Sequence, residues 1–417
     1  RAGGAGRARG GGGGGSPDRR GSYGESYRGS TGYGESYRRG SGGWKGVDQN
    51  VPPLLRLARA IERAVLVRFF KTTRGDDWSR RGGWLTSKPV TGWQGIVCDQ
   101  RGLLNRLNLE RNANLDGDLS HVLGRGLLRY CQQLCLFNTD VSGHLSPGIT
   151  SLTNLRLLRL NKTHINGPIP PEIGNLVNLV ELWLSDTHVS GPIPREIRHL
   201  VNLERLGLSA SEHNIQGRMG ISGSIPPEIG ELRSLKKLWL QRTRISGSIP
   251  PEIAKLQNLT HLYLFATDIS GSIPKEIGNM ENLQYLHLEQ TDLSGPIPPQ
   301  IGHLKNLEEL YLSETYISGV IPSELGSLYR LKRLWLMHTS LSGHLPPELG
   351  GLKQCLYLCL NNTAISGPLP SSLSQMANLR ELYLHDTEVE GRGLGIVWGY
   401  RSAALNSLNR SGCAITV

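Results

Sequence analysis

The sequence predicts an α/β repeat fold that is mainly β, a solenoid of about twelve 24-residue turns whose short strands form one parallel sheet. The first observation is the proline of the pattern SGxIP, which recurs every 24 residues apart from one interval of 32. The prolines that mark this register are Pro170, Pro194, Pro226, Pro250, Pro274, Pro298, Pro322, Pro346 and Pro370. The second observation is an LxxLxLxx segment in every turn, of which twelve can be counted from residue 104.

Each part of the turn follows from its side-chain pattern. The leucines of the strand alternate with other residues, so the leucines point to one face and the residues between them point to the other. Proline and glycine prevent the rest of the turn from becoming a long helix. One turn cannot bury its own apolar face, so successive turns must stack around a continuous core. The single interval of 32 residues places eight extra residues within 209–223.

The segment before the repeats predicts a helix followed by a Trp-rich stretch. Pro53 suits the first turn of a helix. Apolar residues then recur at steps of three and four and predict one apolar helix face, formed by Leu54, Leu57, Ile61, Val65 and Phe69. The Trp-rich stretch that leads into the repeats contains Trp78, Trp84 and Trp93.

The repeat unit LxxLxLxxTxISGxIPxEIGxLxNL resembles the plant-type leucine-rich repeat. The stretch WQGIVCDQRGLLNRLNL, residues 93–109, resembles the N-terminal cap of the same family, and the resemblance covers roughly residues 55–390. It implies a curved right-handed solenoid that binds partners on its concave, strand-lined face and has no catalytic activity of its own. The family commonly pairs the cysteine of this cap with a second cysteine. Thr91 stands at that second position, so Cys98 has no local partner.

A second departure from the family is the residue that turns the chain out of each strand. The resemblance implies a ladder of asparagines there, but only the first turn keeps one. The slot reads Asn112, Thr139, Thr163, Thr187, Ser211, Thr243, Thr267, Thr291, Thr315, Thr339, Thr363 and Thr387. A hydroxyl can donate one hydrogen bond and accept two, so we expect a structural ladder of hydroxyls that bridges adjacent turns.

The residues between the strand leucines predict an aromatic stripe on the concave face. Six of the eleven residues at the middle strand position are Trp or Tyr, in a chain with only 6% aromatic residues. We expect these side chains and those two residues earlier to bind a partner, because Trp, Tyr and Arg are enriched at interface hot spots. The alternative is that they only stack on one another. The candidates are Trp183, Trp239, His261, Tyr263, Tyr285, His287, Tyr311, Arg333, Trp335, Tyr357 and Tyr383.

Composition divides the chain into four parts. Residues 1–46 are rich in Gly, Arg and Tyr and carry a net charge of +6, which leaves +5 of the total +11 for the other 371 residues. We expect this tail to be disordered. Residues 47–103 form the helical, Trp-rich cap and residues 104–389 the repeats. Residues 390–417 abandon the 24-residue period and form an irregular segment that is a candidate C-terminal cap.

These features predict a non-catalytic module that binds a protein, peptide or glycan on its concave face. One alternative is a receptor-like ectodomain fragment or a secreted enzyme inhibitor at the cell surface. Another is an RNA-associated scaffold that acts through the Arg/Gly-rich tail. No paired carboxylates, nucleophile with a base or metal-ligand set stands out in the sequence, so we expect no enzyme, no cofactor and no bound metal.

The compartment stays open in the sequence. Cys131 and Cys135 are four residues apart on one strand, too far apart for a disulfide, and Cys355 and Cys359 repeat this spacing. Free thiols favour a reducing compartment, whereas the family resemblance favours the cell surface. No stretch of 18 apolar residues is present to span a membrane. Because the chain begins with Arg, we expect a processed protein or a fragment whose signal or anchor lies outside this sequence.

Overall fold

A computed structural model describes residues 51–120, 128–211 and 220–390, together with the backbone of residues 414–416. The predicted disordered tail, the RNA contact assigned to it and residues 212–219 of the insertion lie outside the described residues. The same holds for most of the segment after residue 390.

All twelve predicted repeat strands are present, and they form one long sheet. They are β2 (Leu104–Asn108), β4 (Gln133–Cys135), β6 (Leu157–Arg159), β8 (Glu181–Trp183), β10 (Arg205–Gly207), β12 (Lys237–Trp239), β14 (His261–Tyr263), β16 (Tyr285–His287), β18 (Glu309–Tyr311), β20 (Arg333–Trp335), β22 (Tyr357–Cys359) and β24 (Glu381–Tyr383). Neighbouring strands are parallel and in register, so each position of the repeat forms a row across the sheet. The side of this sheet that points away from the core is the concave face.

Two further strands extend the ends of this sheet. At the N-terminal end, β1 (Ile96–Cys98) pairs antiparallel with β2. At the other end, β26 (Ala414–Thr416) pairs parallel with β24 and adds a strand beyond the last repeat. The predicted irregular segment 390–417 therefore contains at least one regular element, which continues the row pattern of the repeats.

A second set of short parallel strands follows the first around each turn. They form one sheet of four strands, β3 (Asp116–Asp118), β5 (Asp140–His144), β7 (His164–Pro168) and β9 (His188–Ser190). They also form one sheet of eight strands, β11 (Ser222–Gly223), β13 (Arg244–Gly247), β15 (Asp268–Gly271), β17 (Asp292–Gly295), β19 (Tyr316–Gly319), β21 (Ser340–His344), β23 (Ala364–Gly367) and β25 (Glu388–Val389). The four-stranded sheet ends at β9 and the eight-stranded sheet begins at β11, on either side of the insertion. In the long sheet, β10 keeps its register with both β8 and β12. The extra residues therefore leave the concave face continuous.

Short 3-10 turns line the opposite side of the solenoid. They are Pro147–Ser151, Pro171–Asn175, Arg195–His199, Pro227–Glu231, Pro251–Lys255, Lys275–Asn279, Pro299–His303, Ser323–Ser327, Pro347–Gly351 and Ser371–Gln375. A proline of the SGxIP pattern stands immediately before each turn except the first, with extended backbone that ends the preceding segment. Between these turns and the strands, the leucine and isoleucine rows are buried in one core.

The N-terminal end of the core is closed by helix α1 (Pro53–Thr72) and the Trp-rich stretch. Trp78, Trp84 and Trp93 are buried, with ring centroids 5.1 Å apart for the first pair and 4.8 Å apart for the second. Two short 3-10 turns, Gly75–Asp77 and Val90–Gly92, shape this stretch.

The predicted apolar face of α1 is only partly correct. Val65 and Phe69 are buried as expected, whereas Leu54, Leu57 and Ile61 are exposed. The buried side chains of the helix begin at Glu62, so its first turns have no core to cover. Glu62 is also buried, and its carboxylate accepts a 2.7 Å hydrogen bond from the backbone N–H of Leu104 at the start of β2.

The predicted ladder of threonine hydroxyls between turns is wrong. All ten threonines of the slot are buried, but each hydroxyl donates to the carbonyl oxygen of the Leu three residues earlier in its own turn, at 2.6–2.7 Å. The residue before each threonine is left-handed, with φ between +54° and +61°, and this bend brings the hydroxyl back to its own strand. A hydroxyl has one proton, so that proton cannot also reach the next turn. Ser211, beside the insertion, is only half-buried.

The ladder between turns is built by a different residue, the asparagine of the xNL pattern. Its side-chain amide donates to a backbone carbonyl 25 residues earlier, at 2.7–2.9 Å. The residues that do so are Asn154, Asn178, Asn202, Asn258, Asn282, Asn306 and Asn378. An amide reaches farther than a hydroxyl, and its N–H can therefore span from one turn to the next.

Asn112 has a role of its own because its neighbour is the cap rather than another repeat. Its side-chain oxygen accepts hydrogen bonds from Ser79 Oγ at 3.0 Å and from the backbone N–H of Arg80 at 2.8 Å. Its amide donates to the carbonyl of Arg80 at 3.1 Å. An amide can both donate and accept, which a threonine hydroxyl cannot do with the same reach. The asparagine therefore remains where the first turn meets the cap.

Substitution of Thr267 tests the bond within the turn. Thr267→Val leaves the buried carbonyl of Leu264 without its donor, so we expect the free energy of unfolding to fall by about 1–3 kcal/mol. Thr267→Ser keeps the donor and serves as the matched control. Urea denaturation of both variants measures the difference, and equal stability of the two would contradict the assigned bond.

Candidate ligand-binding face

Six rings from the middle strand position form a continuous stack along the concave face, which we call the aromatic stack. Its members are Trp183, Trp239, Tyr263, His287, Tyr311 and Trp335. The tightest part runs from Tyr263 to Trp335, where successive ring centroids are 4.4, 4.1 and 4.0 Å apart and the planes lie within 15° of each other. Parallel strands about 4.8 Å apart place such rings at stacking distance.

The stack crosses one strand that contributes no ring. Gly207 of β10 lies between Trp183 of β8 and Trp239 of β12, and the two indoles meet above it with centroids 4.7 Å apart. A Cβ atom at Gly207 would lie 2.6 Å from Cε3 of Trp183. The missing side chain therefore allows the stack to continue across the gap.

Several of the predicted binding residues in the middle row are largely covered in the structure. Tyr311 is only 1% exposed, and Trp239 and His287 are each 4% exposed. Trp183 is buried as well, and Cys135 and Cys359 of the same row are buried. Rings at stacking distance cover one another's faces, so the central members can offer little surface to a partner.

The accessible predicted residues are two rings of the stack, one later residue of the same row, and residues two positions earlier in the strands. The side chains that are half-buried and reachable from the concave face are His261, Tyr263, Tyr285, Arg333, Trp335, Tyr357 and Tyr383. A further row, two residues after the stack, was not singled out in the sequence. It includes the buried Met337 and the buried Phe265, whose ring centroid lies 6.4 Å from those of Tyr263 and His287.

Buried carboxylates tie the stack to the row before it. Glu309 is buried, accepts a 3.0 Å hydrogen bond from His287 Nε2 and forms an ion pair with Arg333. Burial alone would raise the pKa of the Glu309 carboxyl, but the hydrogen bond from His287 and the charges of His287 and Arg333 outweigh it and hold the pKa below its ordinary value.

Glu181 repeats this arrangement at the other end of the stack. Its carboxylate accepts hydrogen bonds from Trp183 Nε1 at 2.8 Å and from Arg159 Nη2 at 3.0 Å, and it also pairs with Arg205. Burial opposes ionisation, but these partners lower the pKa of the carboxyl below its ordinary value. The sequence contains the signal for both clusters, because opposite charges stand 24 residues apart in one row.

The cysteines do not form a reactive or metal-binding set in the described part of the chain. Cys131, Cys135, Cys355 and Cys359 are buried and Cys98 is half-buried, and none of these five forms a disulfide. Burial raises the pKa of Cys135 and Cys359 to about 12 and that of Cys98 to about 11. Over the described ranges, no three His, Cys, Asp or Glu side chains converge as metal ligands. Nor does any described helix have the length and apolar character to cross a bilayer.

A parallel sheet of repeated strands with buried leucine rows on its inner side defines a class of repeat protein. A family model described as a leucine-rich repeat region matches residues 215–316, and a model described as a leucine-rich repeat matches residues 154–176, 178–200 and 306–328. These matches identify leucine-rich repeats in the chain over the residues given. Comparison with curated protein sequences finds no match.

Solved structures with this fold include plant receptors. The plant peptide hormone receptor RGFR1, solved in complex with RGF2, is 26% identical over 71% of this chain and 57% of its own, with a TM-score of 0.58. A TDR receptor is 28% identical over 68% of this chain and 47% of its own, with a TM-score of 0.62. The Arabidopsis receptor kinase HAESA, at 24% identity over 79% and 58% with a TM-score of 0.64, shows the fold alone. The chain thus spans about half the length of these receptor chains.

Gly207→Val tests whether the glycine is needed to close the stack. A branched side chain between two indoles is expected to separate them and to lower the free energy of unfolding by about 1–3 kcal/mol. Urea denaturation and the near-ultraviolet circular dichroism of the indoles measure both effects. Trp183→Ala removes the obstacle, so Gly207→Val should cost much less in that background. An equal cost in both backgrounds would contradict the assignment.

Glu309→Gln tests the buried ion cluster through its pH dependence. The folded-state pKa of Glu309 lies below its ordinary value of 4.5, so its ionised form stabilises the fold above that pH and the contribution is lost as the pH falls through the folded-state pKa. We expect the variant to lose about 2 kcal/mol of unfolding free energy at pH 7 and less at pH 3. Urea denaturation at both pH values measures this. A loss that is the same at pH 3 and pH 7 would argue against the charged cluster.

Proposed function

We propose that this chain is a non-catalytic recognition module that binds a protein or peptide partner on its concave face. The observation that carries the proposal is the set of half-buried aromatic and charged side chains beside the aromatic stack. A side chain held by stacked rings and ion pairs loses little conformational freedom when a partner binds, and this lowers the cost of association. Tyr, Trp and Arg are also the residue types that supply most binding energy at interfaces.

A relative with this fold supports a peptide or protein over a glycan. RGFR1, a plant peptide hormone receptor, was solved in complex with RGF2. The similarity to RGFR1 is low, so it supports the class of partner and not its identity.

A receptor-like ectodomain fragment is the more specific form of this proposal. It is supported by the receptor chains among the structural relatives, of which this chain spans about half. The full gene sequence tests it, because a receptor requires a signal peptide before this region and a membrane-spanning helix after it. A gene that encodes a signal peptide but no such helix would favour a secreted inhibitor instead.

The concave face is tested by the combined variant Tyr285→Ala, Tyr357→Ala and Tyr383→Ala, which leaves the six rings of the aromatic stack in place. All three side chains are half-buried on the concave face, and we expect their loss to weaken partner binding at least about 100-fold. A partner is first captured with the full chain, and its affinity for each variant is then measured by surface plasmon resonance. Tyr311 is excluded, because its substitution would disturb the buried stack and would report on folding.

The matched control is Tyr316→Ala with Tyr329→Ala. Both tyrosines are exposed, and neither lies on the concave face, since Tyr316 begins β19 and Tyr329 follows a 3-10 turn. This pair should leave affinity within about twofold, as is usual for residues outside a hot spot. A partner that binds the concave variant as tightly as the control would remove the proposal.

A further inference from the structure

One turn of the solenoid is basic throughout. Between Glu231 and Glu252 the chain contains five cationic residues and no acidic one. The cations are Arg233, Lys236, Lys237, Arg242 and Arg244. This turn includes β12 in the middle of the long sheet, and Lys237 is the cation that lies on this strand.

Lys237 differs from the neighbouring cations because no described carboxylate forms an ion pair with it. Lys236 pairs with Glu204 at 3.0 Å, and Arg205, in register with Lys237, pairs with Glu181. Within the described residues, no carboxylate lies within ion-pair distance of Lys237. Its ammonium instead lies 5.4 Å from the centroid of Trp239, which holds it over the aromatic stack.

The surroundings of Lys237 make its positive charge unfavourable in the free protein. Burial and the neighbouring charge of Arg205 lower the pKa of Lys237. Across the sheet, burial and then the charge of Lys237 lower the pKa of His261 to about 3, so that this ring is neutral near pH 7. An anion brought to this position would be attracted by the charge of Lys237, which no described carboxylate neutralises.

The hydrogen bonds of His261 show which ring nitrogen is available there. Thr260 Oγ1 donates its proton to the carbonyl of Lys236 at 2.8 Å, so the same oxygen can only accept from His261 Nδ1, also at 2.8 Å. In the neutral ring, Nδ1 then carries the proton and Nε2 has the lone pair. His261 thus adds no positive charge in the free protein, and the positive charge at this position comes from Lys237.

We propose that Lys237 is the anion subsite of the concave face, and that it takes the side-chain carboxylate of an acidic residue in a bound peptide segment. This inference rests on the proposed function. The positive charge of Lys237 favours an acidic side chain. The tyrosines along the same row favour a peptide that has apolar residues next to this acidic one. Tyr285 lies two strands from Lys237, and its ring centroid is 4.5 Å from that of His261.

A peptide library tests this without knowledge of the natural partner. The full chain is immobilised, and a random dodecapeptide phage library is selected on it. We expect the retained peptides to be enriched in Asp and Glu. Fluorescence anisotropy with the selected peptides should then show roughly tenfold weaker binding to Lys237→Gln, as is typical when one member of a desolvated charge pair is removed.

The matched control is Lys236→Gln, which removes the charge of the adjacent lysine that forms an ion pair with Glu204. It should leave affinity within about twofold, since such partly exposed pairs contribute little. Lys237→Glu should reject the acidic peptides and bind their Glu-to-Lys versions instead. Circular dichroism melting of each variant confirms that the fold is kept.

The outcomes separate this inference from the proposed function. If the peptides lose affinity for Tyr357→Ala but bind Lys237→Gln and Lys236→Gln equally, the anion subsite is wrong and the concave face stands. If neither tyrosine nor lysine substitutions matter, the proposed function fails with it. Retention of sodium polygalacturonate through Lys237, with no acidic peptide selected, would overturn the peptide and assign a polysaccharide. A library that yields no retained peptide also overturns the inference.

Discussion

The fold depends on one constraint, that each strand of the long sheet pairs in parallel and in register with the next. Strands about 4.8 Å apart place equivalent side chains near stacking distance, so every position of the repeat becomes a row with its own chemistry. Leucine rows form the core, asparagines join turns on one side, and aromatic rings stack on the other. The insertion is tolerated because it lies after β10 and leaves this register intact.

The same constraint explains why the fold could be predicted from the sequence and parts of the site could not. A 24-residue period determines which residues share a row, and the twelve repeat strands followed from it directly. Exposure within a row depends on what the neighbouring turns place there. Tyr311 points away from the core as its strand position requires, yet the rings of His287 and Trp335 cover both of its faces. The alternation of side-chain direction along one strand does not show how far the neighbouring rings bury a side chain.

The threonine slot and the asparagine row show a second limit. Both rows are polar and periodic, and the sequence alone suggested that the threonines join the turns. The left-handed residue before Thr267 directs its hydroxyl to Leu264, whereas the amide of Asn282 reaches the carbonyl of Gln257 in the previous turn. Only backbone geometry distinguishes a bond within a turn from one between turns. The exposed first half of α1 has a similar cause, since a helical period cannot show where the core ends.

Burial of the stack also separates stability from recognition on the concave face. A change at Tyr311 or His287 alters the packing of two neighbouring turns, because each ring is shared between strands. A change two residues earlier alters mainly charge or shape at the surface, except at Glu181 and Glu309, whose carboxylates are bonded to the stack. Lys237 occupies this earlier row without a carboxylate of its own. Selectivity for a partner can therefore change at such positions while the stacked rings beneath them keep the sheet in register.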